Sequence, residues 1–126
     1  MIRKHRVTLT TTGSAGSATA TATLTLGRPG FVRAIAVDYH ASAPVTTDLT
    51  IKADSASGNT LFTNSNSVTD IAAKPVGMPG VDEANAALAA TDSSSGGWPF
   101  GTGLYLSVAQ SDALTGAAVV DVWIET

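Results

Sequence analysis

No cysteine occurs in the 126 residues of this chain, which excludes disulfides, thiolate nucleophiles and cysteine-based metal knots and leaves stability to packing or association. Charge is scarce too: 13% of the residues are Asp, Glu, Lys or Arg, where roughly 25% is usual for a soluble domain. A net charge of −3 removes the basic field that gathers phosphate backbones and argues against nucleic acid as a partner. No apolar run approaches the roughly 20 residues of a membrane-spanning helix, so no membrane association is expected. The opening "MIRKHRVTLT" has the basic start of a signal peptide, but threonines stand where its apolar segment should follow. Cytoplasmic synthesis is the expectation. The length suits a single domain over 1–126, and so little charge leaves part of its surface to be covered by other copies or a partner.

What the chain has instead is alternation. In "ATATATLTL" at 18–26, Ala18, Ala20, Ala22, Leu24 and Leu26 share one face of a strand and the four threonines the other, because successive side chains of a strand point to opposite sides. "RVTLTTT" alternates likewise with Val7 and Leu9 inward, and "GSAG" at 13–16 suggests that these two segments form a hairpin. The turn "GRPG" at 27–30 leads to "FVRAIAVDYH" at 31–40. Phe31, Arg33, Ile35, Val37 and Tyr39 fall on one of its faces and Val32, Ala34, Ala36, Asp38 and His40 on the other, the pattern of a central strand. "TDLTIKA" at 47–53 directs Leu49, Ile51 and Ala53 inward, and "TLFT" at 60–63 is a short strand.

Between about 64 and 103 the pattern weakens into a long, partly ordered excursion, within which "VDEANAALAA" at 81–90 has the composition of a short helix. After it, Leu104, Leu106 and Val108 of one strand and Ala118, Val120, Val122 and Ile124 of the next point inward, with Asp121, Trp123 and Glu125 outward. These two strands read as a closing hairpin about "SDALTG". Some seven strands with little helix predict an all-β, antiparallel β-sandwich of the jelly-roll kind.

The residues that carry chemistry are sparse. His40, Asp38 and one of many serines could be written as a triad, but residues two apart on a strand do not meet as base and orienting carboxylate must. No EF-hand spacing or histidine pair is present; calcium at a sandwich end through Asp54 or Asp92 is the remaining metal arrangement, and no metal or cofactor is expected. The reading is therefore non-enzymatic. "GGWPFGTG" at 96–103 presents Trp98 and Phe100 around Pro99, either to plug one end of the barrel or to anchor a subunit or sugar contact. Trp123 is either covered by the long excursion or used at an interface. The segment "MIRKHR" forms a basic N-terminal arm over 1–6, in which Arg3, Lys4 and Arg6 are candidate contacts.

The phrases "VDYHASAP" leading to "TTDLTIKA", and "LYLSVAQSDA" leading to the last hydrophobic strand, resemble small virion structural proteins of tailed bacteriophages, in particular capsid decoration or cement proteins. The resemblance spans 27–126. It implies a β-sandwich or jelly-roll module, often a homotrimer, that sits on a shell of major capsid protein and is located in the virion after assembly in the host cytoplasm. Its interface candidates here are Arg3, Lys4, Arg6, Trp98, Phe100 and Trp123, with the basic arm set on an acidic capsid surface. The alternative expectation is a carbohydrate- or receptor-binding sandwich of a tail or head fibre, using Trp98, Phe100 and Trp123 as platforms.

Overall fold

A computed structural model of the chain describes residues 1–76 and 97–126. Nine strands are present among them: β1 (Ile2–Leu9), β2 (Ala18–Thr25), β3 (Gly30–Tyr39), β4 (Asp48–Ala53), β5 (Thr60–Asn64), β6 (Ile71–Pro75), β7 (Trp98–Phe100), β8 (Gly103–Ser111) and β9 (Ala118–Glu125). The expected helix over 81–90 lies outside the described residues. Among those described, no helix is long and apolar enough to cross a membrane.

Two antiparallel sheets pack face to face. The first runs β1-β9-β3-β6, with β7 also on β3, and the second runs β2-β8-β4-β5. Apart from the β4–β5 hairpin, most successive strands change sheet. With β6 and β7 sharing the place beside β3, the result is the eight-place, two-Greek-key order of a jelly roll. The core is the meeting of the two inner faces, Val32, Ile35, Val37, Val120, Val122 and Ile124 against Leu49, Ile51, Leu104, Leu106 and Val108, all essentially without solvent contact. At about 25 cal/mol per Å² of apolar surface removed from water, this layer dominates the favourable side of folding.

Two of the expected hairpins are corrected by this topology. β1 pairs with β9 rather than β2, and β8 pairs with β2 and β4 rather than β9. Between β1 and β2 there is only a bridge from Thr12 to Thr19. Both connections arch from one sheet to the other, and they are bound to each other. Thr11 donates its amide to the Leu114 carbonyl (3.1 Å) and accepts the Leu114 amide on its hydroxyl (2.9 Å), and Gly16 donates to the Asp112 carboxylate (2.8 Å). Buried Thr11 thereby has partners, and buried Ser111 accepts the Thr47 hydroxyl at 3.2 Å, as polar groups removed from water require.

The facing of β3 also departs from strict alternation. Its pairing with β9 slips between Val32 and Ala34, so that Val32 is inward, then Ile35, Val37 and Tyr39, while Phe31 turns outward. A β-bulge of this kind places two residues of one strand against one of its neighbour and reverses the facing beyond it. The physical reason is Arg33: unbroken alternation would set its guanidinium on the inner face with Ile35, where an unpaired charge is costly. It pairs instead with Glu125 at 2.9 Å and lies over the Phe31 ring, 5.3 Å from the centroid.

Candidate interaction surface

The outward face of the first sheet gathers several of the interface candidates and their neighbours into cross-strand rows. Register sets Ile2 beside Glu125 beside Phe31, Lys4 beside Trp123 beside Ala34, and Arg6 beside Asp121 beside Ala36. The basic segment expected as an arm is thus laid into the sheet as an edge strand. Because β1 alternates, Lys4 and Arg6 share the outward face with Trp123, whereas Arg3 belongs to the opposite set and lines a groove with His5 and Arg28.

The charges flanking Trp123 on this face are paired within the molecule. Arg6 donates to both carboxylate oxygens of Asp121, at 2.8 and 3.0 Å, and Lys4 stands 4.0 Å away. The Arg6 hydrogen bonds hold the Asp121 carboxyl below the usual carboxylate range, and Asp121 in turn raises the Arg6 guanidinium. Between these pairs lie apolar groups: Ile2 is 54% and Phe31 41% exposed, Trp123 is half-buried, and Ala34 and Ala36 keep the sheet shallow beside it. An indole held on a strand by a ladder on both sides is a preorganised contact, and paired charges around it form a polar rim.

"GGWPFGTG" is divided by the fold. Phe100, 5% exposed, fills the end of the sandwich. Trp98, half-buried, stacks on Phe62 with ring centroids 5.8 Å apart and planes at 27°. The segment that follows is fastened by Asp54, whose carboxylate accepts amide hydrogens from Gly101, Thr102 and Gly103 at 2.6 to 3.2 Å, and the Thr102 hydroxyl at 3.2 Å. The Thr102 amide leads in holding the Asp54 carboxyl below its ordinary value. Asp54 therefore acts as a loop clamp, chiefly through Oδ1, which accepts from all four donor groups; Asp92 lies outside the described residues. Nothing in the local sequence around Asp54 marks it, since its side-chain partner Thr102 lies 48 residues on.

On the same outward side, a shallow depression of about 600 Å³ is lined by Asp38, His40, Asp70 and Val119, and continues past Ala36 and Ile71. Asp70 and His40 there serve the backbone. Asp70 accepts the Tyr39 amide at 2.8 Å, and His40 accepts the Ser42 amide on Nδ1 at 3.0 Å, in the turn that ends β3. Among the described residues, no group of three or more histidines and carboxylates is arranged to hold a metal. Comparison with protein-family models, with curated proteins and with solved structures found no match to this chain.

Proposed function

We propose that this chain is a structural virion protein that decorates and stabilises a bacteriophage capsid, binding the shell of major capsid protein as a homo-oligomer, with a trimer favoured. Jelly rolls serve viral capsid proteins and lectins alike, so the outward face rather than the fold carries the reading. That face sets Trp123, Phe31 and Ile2 on a stiff sheet among ion pairs already closed inside the monomer. Docking the part around Trp123 desolvates apolar surface while the charges beside it keep their partners, and a stranded charge is the costly event at an interface. A scarcely charged surface and a fold without cysteine suit a protein assembled in the host cytoplasm and gripped by its neighbours. Binding of the folded form alone stabilises fold and shell together.

The test is co-sedimentation with empty shells assembled from the coat protein encoded in the same genome. The chain is expected to pellet with them at a fixed ratio and to raise their melting temperature, and Trp123→Ala to abolish both effects. A chain that stays in the supernatant at every salt concentration overturns the reading.

The half-exposed Trp123 also favours the second reading, a carbohydrate- or receptor-binding module, for which Phe100 is buried and Trp98 already has Phe62 as its stacking partner. Glycan-array binding lost in Trp123→Ala, without shell binding, would select it.

A further inference from the structure

Among the described residues five strands lie at the edges of the two sheets, and four of them carry features that discourage another strand from pairing; β7, which shares the side of β3 with β6, is three residues long and contains Pro99. β1 presents Arg3, Lys4, His5 and Arg6; β6 is five residues long and ends on Lys74 and Pro75; β5 is five residues long, with an irregular register against β4. Short length, charge, proline and broken register are the means by which exposed edges are kept from pairing. β2 has none of them along its course. Its eight residues contain no charge and no proline, and its one register shift lies at its beginning, between Ala18 and Ala20.

Bond directions along β2 are set by its neighbours. Leu26 donates to Thr102, and Thr19 exchanges both of its backbone bonds with Thr12 on the opposite side. In an antiparallel strand these directions alternate, so the amides and carbonyls of Thr21, Thr23 and Thr25 point away from β8. Among the described residues no strand pairs with them there. The side chains facing the core at this edge, Ala20, Ala22, Leu24 and Leu26, are only partly buried, and the two alanines leave room beside them.

At one end of this edge, Arg3, His5 and Arg28 line a groove of about 350 Å³ together with Leu26 and Ile124. No ion pair among the described residues uses Arg3 or Arg28. Carboxylates on an incoming strand would complement these three groups, and the eight residues of β2 itself carry none.

We infer that the open edge of β2 is a strand-addition site for an extended, acidic segment of a partner protein. The backbone of Thr21, Thr23 and Thr25 supplies the hydrogen bonds. An apolar residue of the incoming strand fills the space beside Ala20 and Ala22, and a carboxylate on the same face reaches Arg3, His5 and Arg28. The inference deepens the capsid reading and rests on it for the identity of the partner, but not for the chemistry of the site.

The experiment titrates the full chain with a capped ten-residue peptide that alternates threonine with valine and glutamate, and with its counterpart in which lysine replaces glutamate. Affinity and amide hydrogen exchange are followed together. The glutamate peptide is expected to bind at least tenfold more tightly and to slow exchange at Thr21, Thr23 and Thr25. Thr23→Pro removes an outward amide without touching the β8 ladder and should weaken binding at least tenfold; Arg28→Glu, on an exposed turn where folding is not at stake, should do the same. Absence of binding by the glutamate peptide, equal binding of the two peptides, or binding that survives both substitutions would overturn the inference. So would protection of the three threonine amides by rising protein concentration alone, which would assign the edge to a second copy. The two proposals fail separately. A chain that binds shells but not the glutamate peptide defeats the edge and leaves the capsid reading standing; peptide binding by a chain that ignores shells does the reverse.

Discussion

The two sheets present the same inner face and opposite outer ones. Inside, both offer alternating Leu, Ile and Val with almost no solvent contact. Outside, the first carries Trp123, Phe31 and closed ion pairs, while register lines up Thr21, Ser107, Thr50 and Thr63 across all four strands of the second. The inner likeness is imposed by the core, because either sheet must cover the other. The outer difference is imposed by nothing in the fold, since a row of hydroxyls solvates a sheet as well as ion pairs do.

The largest test addresses the likeness. Ile35→Ala in the first sheet and Leu106→Ala in the second should each cost about 2–5 kcal/mol in chemical denaturation through one cooperative transition, and separate transitions for the two sheets would show that they do not share one core. Next comes the difference. Trp123→Ala should reduce shell occupancy at least tenfold while Tyr105→Ala, at the half-buried aromatic of the second face, leaves it unchanged; the reverse result would move the interface to the hydroxyl face. Asp121→Asn should destabilise the fold by about 0.5–1 kcal/mol at low salt and by less at high salt, as expected for a screened pair on a sheet surface.

The smallest effect is acid sensitivity. Asp54 and Asp121 both titrate below their unfolded values, so the stability they add is present above the unfolded carboxylate pKa near 4 and is lost as pH falls through their lower folded pKa values. Thermal melts across the acid range, from about pH 6 down to about pH 2, should show this loss diminished in Asp121→Asn, and diminished further when Asp54→Asn is added.

Alternation makes the inward sets of β4, β8 and β9 legible in the amino-acid order alone, because a period of two states which side chains share a face. It does not state which strand lies alongside. "GSAG" and "SDALTG" are short enough for hairpins and equally suited to arches between sheets, and only the competition among all strands for neighbours decides. In β3 the sign of the bulge is present in the sequence: Arg33 stands in phase with Ile35, and an unpaired charge in an inward register requires the register to break. Trp123 is readable as outward from its own strand. Its ionic neighbours are not, since Arg6 and Asp121 are 115 positions apart. Trp98 against Phe62 and Asp54 against the Thr102 loop are equally non-local, and in each a contact between distant segments, rather than any local motif, creates the feature.

The pairing of β1 with β9 has a consequence for biosynthesis. β1 is synthesised well before its ladder neighbour β9, so it stays unpaired on that side until the residues between them have been translated. A nascent or truncated polypeptide therefore lacks the Lys4–Trp123–Ala34 row altogether. Quality control is inherent in that arrangement: only molecules whose synthesis has run through β9 acquire this outward face.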